Sequence, residues 1–453
     1  MRTTHRGATV ILPVRTVAAC AAILCLMLST TAIGAQEIDV DIGSEVGARY
    51  EDDTTLFTET TADGSLTWIL SPDADIELSG GYAYRYDEAT VAADGEEDGE
   101  LTPSLDRARY FGRSPIGDSG TSVFELRAGR FGFADTTGLV VDTPADGLSI
   151  GIVSPVVTAR LQGAYTGLLF RDSTGVRVTG ADLRDFDNLL GPAHLLGRFE
   201  LAFPELLERQ SIILDAVVQR DMPELPSSDI ENDDRQDGAY ASLTLTGPLS
   251  RRVFYTAYGI GHYARYYADA DSSSETYDLL GTAAGGSIRA FAPELGKSRA
   301  ELTVTYASGE PGYTRYSPTA SGTATFFSGI TGADLTRFAP VEFANVVVGR
   351  LDYSVQPVDR GAGPREGLRT AVSVAGAYRP VRGDGTVSGL RSDAETGYVG
   401  TEIGATIEFR PFSDLRFAVE SDMFIPSDLL RNAGRFEDTD PRGQITARVE
   451  LSL

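Results

Sequence analysis

Along residues 38–51 the side chains alternate without a break. Even positions read Ile38, Val40, Ile42, Ser44, Val46, Ala48 and Tyr50. Odd positions read Asp39, Asp41, Gly43, Glu45, Gly47, Arg49 and Glu51. A period of two is the mark of a β-strand with one apolar and one polar face. Soluble strands run roughly 3–10 residues. A strand that crosses a bilayer at a tilt needs roughly 9–11 residues plus its overhangs, and this run has that length. The pattern returns at 74–87, 157–169, 399–410 and 415–425. In the last of these, Leu415, Phe417, Val419, Met423 and Ile425 oppose Arg416, Glu420 and Asp422. A slip of one residue would turn every charge toward lipid, so the register is firmly set.

Extended over the chain, the alternation predicts eighteen strands: 37–51, 55–71, 74–87, 104–114, 121–132, 146–153, 156–170, 195–204, 210–221, 238–248, 251–268, 276–291, 298–309, 341–355, 368–380, 396–410, 413–425 and 442–453. Every second connection is short, as at Ser71-Pro72-Asp73, Ser154-Pro155, Gly247-Pro248-Leu249-Ser250 and Pro411-Phe412. Those between are mostly long and polar: 88–103, 133–145, 171–194, 222–237, 310–340, 381–395 and 426–441. Short periplasmic turns alternating with long extracellular loops are the habit of outer-membrane barrels. The segment 356–367 is the one long connection on the short side. Tyr50, Trp68, Tyr84, Tyr86, Tyr110, Phe170, Tyr267, Tyr353 and Phe409 fall near strand ends, where aromatic girdles form. The fold class expected is all-β: a transmembrane, antiparallel, up-and-down β-barrel of about 18 strands (16–18) in an outer membrane. A soluble β-sandwich or β-helix explains the alternation but not the strand lengths, the loop alternation and the terminal strand together.

The N-terminus reads differently. Arg2, Arg6 and Arg15 precede an apolar run from Val17 to about Leu28, and small residues follow from Ser29 to Ala35. This is the plan of a secretory signal peptide, expected over 1–35. The barrel then occupies 36–453, and with its first strand so close behind, no plug domain is expected. Val17-Ala18-Ala19-Cys20 imitates a lipoprotein box, with Arg15 interrupting the apolar stretch ahead of it. Past residue 35 no apolar run reaches the ~18 residues of a transmembrane helix.

Charge then excludes several classes. The 453 residues hold 39 Lys+Arg against 65 Asp+Glu, a net of −26, and removal of the three signal arginines takes it to −29. A pI near 4.5 argues against nucleic-acid binding. Cys20 and Cys25 are the only cysteines, so 36–453 carry neither a disulfide framework nor a cysteine-based metal site. Lys297 is the only lysine. Past the signal there are two histidines, His194, expected in a loop, and His262, in a strand; neither sits in a metal-binding spacing, and no P-loop occurs. No enzyme activity, cofactor or bound metal is expected, although a barrel hydrolase using either histidine is a remote alternative. The acidic runs at 94–100 and 231–234 offer oxygen ligands for Ca²⁺ without matching the EF-hand spacing, and a solvated surface is their plainer reading.

The inward positions carry the candidate chemistry. By parity Arg107, Arg109 and Arg113 face inward on one strand, followed by Arg127, Arg160 and Arg198 on the next strands. Other walls carry Asp39, Asp41, Glu45, Glu402, Glu408, Glu420, Asp422 and Glu450. With strands ~4.8 Å apart, the arginines form a ladder facing acids, a charged constriction of the kind that sets pore selectivity. The plainer reading is that any wet lumen needs polar residues, which neutralise one another across strands. The pore-lining set expected is Arg107, Arg109, Arg127, Arg160, Arg198, Glu402, Glu408, Glu420 and Asp422. The inward-folding loop is sought at 171–194 or 310–340.

Several segments resemble known families. Phe124-Glu125-Leu126-Arg127-Ala128-Gly129-Arg130-Phe131, with Asp146-Gly147-Leu148 after a loop, resembles a hairpin of porins and alginate-export barrels. Thr303-Val304-Thr305-Tyr306-Ala307-Ser308-Gly309 resembles strand exits of the same groups. Tyr398-Val399-Gly400-Thr401-Glu402-Ile403, with Asp414-Leu415-Arg416 and Phe424-Ile425-Pro426, resembles a late hairpin of alginate-export proteins. The resemblance implies an eighteen-stranded barrel with an arginine-rich lumen that passes an anionic polysaccharide. Strand 442–453 resembles the terminal strand by which barrel-assembly machinery recognises its clients, although that signal usually ends in Phe or Trp and this one ends in Leu453. The function expected is an outer-membrane channel for passive diffusion or export of small or anionic hydrophilic solutes, working as a monomer or a trimer. The alternative is a closed surface barrel serving as an adhesin or envelope component.

Overall fold

The structure is a computed structural model. It describes residues 37–50, 54–87, 100–117, 120–170, 175–176, 190–207, 209–222, 235–268, 275–310, 323–333, 335–337, 341, 343–357, 367–381, 397–427 and 441–452. The signal segment and the acidic runs at 94–99 and 231–234 lie outside the described residues.

The strands are β1 (Glu37–Tyr50), β2 (Thr54–Ser71), β3 (Ala74–Asp87), β4 (Glu100–Ile116), β5 (Ser122–Ala134), β6 (Asp142–Val153), β7 (Thr158–Tyr165), β8 (His194–Leu207), β9 (Gln210–Asp221), β10 (Arg235–Pro248), β11 (Val253–Ala268), β12 (Glu275–Ala292), β13 (Ser298–Ala307), β14 (Thr323–Thr325), β15 (Val346–Val355), β16 (Leu368–Tyr378), β17 (Tyr398–Phe412), β18 (Leu415–Pro426) and β19 (Arg442–Ser452). All belong to one sheet of 19 strands. Without the short β14, eighteen antiparallel strands form the wall. Each pairs with its sequence neighbour, and β13 pairs with β15 across the long loop. The wall closes where β1 meets β19, from Asp41↔Ser452 to Tyr50↔Gly443. Closure satisfies the backbone of both terminal strands and leaves no edge, which a bilayer demands of any spanning sheet.

The two faces sort as the alternation requires. Leu161, Leu302, Leu351 and Ile407 on the outer face are each at least half exposed in the isolated chain. In water such a surface would drive aggregation; in lipid it is the solvation shell. Phe254 and Phe291 meet edge to face outside, 5.8 Å between centroids. One rim carries the short connections (the turn rim), the other the long ones (the loop rim). Pro411-Phe412 is not a turn: β17 runs through Phe412, the turn is Ser413-Asp414, and the register shifts between Phe409 and Phe412. A proline is tolerated there because a bulge needs no amide from it. His194 is not in a loop either but opens β8.

The inside holds the largest surprise. Val341 and residues 343–345, expected in a strand, belong instead to a loop that folds into the barrel. Its Phe326, Phe327, Ile330, Val341 and Phe343 are almost wholly buried. Phe327, Ile330, Val341 and Phe343 pack with Phe133, Val140 and Val141 and with inward residues of the wall from β5 to β18, while Phe326 packs with Ala264, Leu279 and Ala344. A closed apolar core therefore fills the loop-rim half of the interior on that side.

Candidate functional site

Three loop segments meet inside the barrel. In the 135–141 turn, Asp135 accepts the amides of Val140 and Val141, both at 3.0 Å, and that of Thr137 at 2.8 Å. The carboxylate thereby folds a polar stretch back on itself and aims Val140 and Val141 inward. Ile330 N then donates to Val140 O at 2.7 Å, and Asp142 N donates to Thr331 Oγ1 at 2.9 Å. Val176, from the 166–193 loop, bridges Thr331. Tyr240 on β10 donates to Ser328 O at 2.8 Å and stacks flat on His262 of β11, 4.4 Å between ring centroids. Phe327 lies edge-on to both rings and to Phe343. Glycine makes the approach possible: a Cβ on Gly281 would stand 2.5 Å from Phe326 O and 2.7 Å from Phe327 Cα. The inward loop expected at 310–340 is thus present in its described part, and 171–194 contributes Val176. The 135–141 segment was expected to be an outer loop. Its signal was the pair Val140-Val141, too short a run to show a period.

The arginines of β4, β5, β7 and β8 do lie along one stretch of inner wall, but not as a bare ladder. Glu77 on β3 accepts from Arg107 Nη1 at 2.8 Å and Arg109 Nε at 2.7 Å. Glu125 accepts from Arg160 Nη2 at 3.3 Å, and Glu200 from Arg160 Nη1 at 3.3 Å. Arg198 also reaches Glu200 and takes Asp215 with Nε at 3.0 Å to both oxygens and Nη2 at 2.8 Å. Arg113 sits at the turn rim against Asp73, 3.0 Å away. Carboxylates at matching parity thus interleave with the cations. Opposite charges directly across a strand pair attract, and each desolvated charge needs a partner.

Arg127 stands apart in this lattice. Its nearest carboxylate, Glu125, is 3.8 Å away, and its Nε has no acceptor. Its guanidinium lies 5.5 Å from the Phe111 ring centroid, with Arg109 at 6.0 Å from the same ring. Phe111 is an inward aromatic that charge parity alone does not single out.

Across the barrel two of the expected acids, Glu408 and Glu402, are also bonded. Arg416 bridges Glu450 at 2.9 Å and Glu408 at 3.1 Å. Arg448 Nε bonds Glu45 at 2.7 Å. Glu402 is buried and accepts Arg337 N, from the inward loop, at 2.7 Å; Arg337 Nη1 then reaches Thr406 at 3.1 Å. Asp422 is buried beside them, and Glu420 is half-buried at the next inward position of β18. The inner faces of β1, β2 and β19 enclose a concavity of about 440 Å³, lined by Asp41, Glu45, Glu59, Asp63, Arg448 and Glu450. It is predominantly acidic, so charge is unevenly distributed around the wall even though no wall is of one sign. The side chains differ in access. Arg107 is half exposed, and Arg109, Arg127 and Arg160 partly so, whereas Arg198 is closed off beneath Thr136. His194 and His262 are buried, and His194 Nδ1 lies 2.8 Å from Gln219 Nε2.

A scan against protein-family models finds no match to the chain, and a search of curated proteins finds none. Solved structures do match. Pseudomonas aeruginosa OccK5 (OpdH) superposes with a TM-score of 0.53 over 92% of this chain and 98% of its own, at 9% identity. OpdK of the same organism, in a complex with vanillate, gives 0.52 over 93% and 99%, at 10% identity. OccK2 (OpdF) gives 0.51 over 93% and 99%, at 13% identity. The chain has the fold of an outer-membrane β-barrel. The match to these structures runs nearly end to end.

Proposed function

We propose that this barrel is a passive channel for small hydrophilic solutes and that it favours anions. Arg127 carries the reading. It is an inward cation flanked by Arg109 and Arg160, braced on an aromatic ring, partly open to the lumen and no closer than 3.8 Å to a carboxylate. A guanidinium binds carboxylate or phosphate oxygens in its own plane. A guanidinium without a close carboxylate in a wet interior holds such a group weakly enough to release it, as conduction requires. In this reading Arg107, Arg109, Arg127 and Arg160 line the passage on one side and Glu408 and Glu420 on another, while Arg198, Glu402 and Asp422 secure the folded loops. The vanillate bound to OpdK is a carboxylate, which agrees with an anionic solute. Residues 1–35 direct export, and β19 presents the chain to the barrel-assembly machinery. An arginine-rich interior would also suit outward passage of an acidic polysaccharide, the solute of the alginate-export barrels.

One observation favours the closed surface barrel: the apolar core that fills part of the interior. Single-channel recording in a planar bilayer separates the two. Discrete conductance steps are expected, and their absence overturns the channel. In a salt gradient, Arg127→Ser with Arg160→Ser shifts the reversal potential toward cations. An unchanged potential removes the anion preference. Block of the current by alginate oligomers is the outcome that would assign polysaccharide export.

A further inference from the structure

The turn rim carries large apolar side chains where short polar turns would be ordinary. Leu70, Val156, Leu206, Leu249, Leu295 and Phe412 are all more than half exposed, and each lies in, or within two residues of, a different short connection. Val156 reaches 74% and Leu295 65%. Ile116 ends β4 in the same way at a seventh connection. Those connections join successive strand pairs, so with strands ~4.8 Å apart the apolar groups recur around the rim at intervals of about 10 Å. Along the described connections they form a ring, not a single patch.

The charges of this rim are paired or sited to reach past that ring. Arg252 bonds Glu294 across two neighbouring turns, and Arg113 bonds Asp73. Arg251, Arg252 and Lys297 flank Leu249 and Leu295 in sequence, and long cationic side chains place their heads beyond an apolar boundary while their stems stay inside it. At the loop rim the outer face also carries the ion pair of Arg265 with Asp278. The outer apolar surface reaches down onto the turn rim at each of these connections.

We propose that the turns are seated in the inner leaflet, with Leu249, Leu295, Phe412 and their counterparts among the phospholipid acyl chains. The occupant is named by continuity, because the ring is the lower edge of a face that already contacts lipid. Leaving these groups in the periplasm would expose a second apolar surface to water, and soluble surfaces do not tolerate that. The turns then act as an anchor that fixes barrel depth, leaving the loop rim to protrude. This goes beyond the channel reading and stands whether or not the barrel conducts.

The test uses the whole barrel refolded into phosphatidylcholine vesicles. Cys20 and Cys25 are the only native cysteines, and neither is in the wall; both are replaced by serine. Single variants Leu249→Cys, Leu295→Cys and Phe412→Cys carry an environment-sensitive fluorophore. Leu302→Cys, midway up the lipid face, is the apolar reference, and Asp63→Cys, exposed on the inner face, is the aqueous one. Heat-modifiable migration on gels confirms that each variant is folded. The turn positions are expected to resist iodide and to be quenched by brominated phospholipid, as Leu302→Cys is. Iodide quenching equal to that of Asp63→Cys, with no effect of brominated lipid, overturns the proposal. So does protection that appears only when periplasmic extract is added, or only at high protein density, because those results assign the ring to a partner or to a second copy.

Discussion

Arg198 and Asp215 lie diagonally across β8 and β9, joined through Nε and Nη2 at 2.8–3.0 Å, with both side chains buried. The same carboxylate takes Thr136 N at 2.8 Å and Thr136 Oγ1 at 2.9 Å. One pair thus ties the wall to the inward turn. Removing one partner leaves the other charged and buried. Asp215→Ala is expected to cost about 3–5 kcal/mol, read as a lower denaturant midpoint for loss of the compact, heat-modifiable form. The double variant Arg198→Met with Asp215→Leu should recover most of it, since it leaves no orphaned charge. Equal destabilisation by both variants would mean that shape, not charge, matters here.

Arg127 and Arg198 are both inward arginines, yet Arg127 is partly open to the lumen with its nearest carboxylate 3.8 Å away, whereas Arg198 is buried and tightly paired. Arg127→Ala should therefore move anion-to-cation permeability far more than Arg198→Ala does, with little loss of stability. Arg198→Ala should do the reverse. Bilayer reversal potentials and unfolding midpoints, measured on the same two proteins, check the crossing.

Gly281 lets the inward loop lie against β12. Gly281→Val places side-chain carbon where Phe326 O and Phe327 Cα now stand, and the backbone there has to move. The expected result is an altered, noisier single-channel conductance with heat-modifiable migration retained. An unchanged trace would show that the 326–333 segment does not border the passage.

Val176 and Thr331 are partners in an isolated antiparallel bridge. Residues opposed in such a bridge have Cα atoms about 4.5–5.5 Å apart, within the disulfide range of roughly 4.4–6.8 Å. In a chain with Cys20 and Cys25 replaced, Val176→Cys with Thr331→Cys should oxidise on refolding and give a gel shift reversed by reductant. If the junction of the three loops is static, conductance with and without reductant is the same. A reversible change in current would identify the junction as a gate.

The wall was legible because each strand carries its own evidence. Ile38 to Glu51 needs no partner to declare its two faces, and 74–87, 157–169, 399–410 and 415–425 behave likewise. Parity also gave the inward side of Arg107, Arg127 and Arg160. It could not show that Glu77, Glu125 and Glu200 alternate with them, because that depends on the register between strands. Nor could it show that Arg198 is sealed in, since Thr136 lies 62 residues away in sequence. The inward core was missed for a related reason. Phe326, Phe327 and Ile330 sit among Gly, Thr and Ser, without a period to mark them, and Phe343 falls within the strand expected at 341–355. Apolar residues in a loop that should be solvated were the signal available.

The closing seam has a temporal meaning. Glu45 and Arg448 are 403 residues apart in the chain and bonded in the wall, and β1 meets β19 over ten register pairs. Contacts between distant segments form slowly, because the loop entropy of the intervening chain must be overcome first. Every other wall pairing can zip from a nearby turn or loop. This one waits for both extremities to arrive. A chain interrupted before residue 442 would hold two unsatisfied edges and have nothing to shut them, so the clasp between first and last strand is also a check that synthesis ran through the final strand.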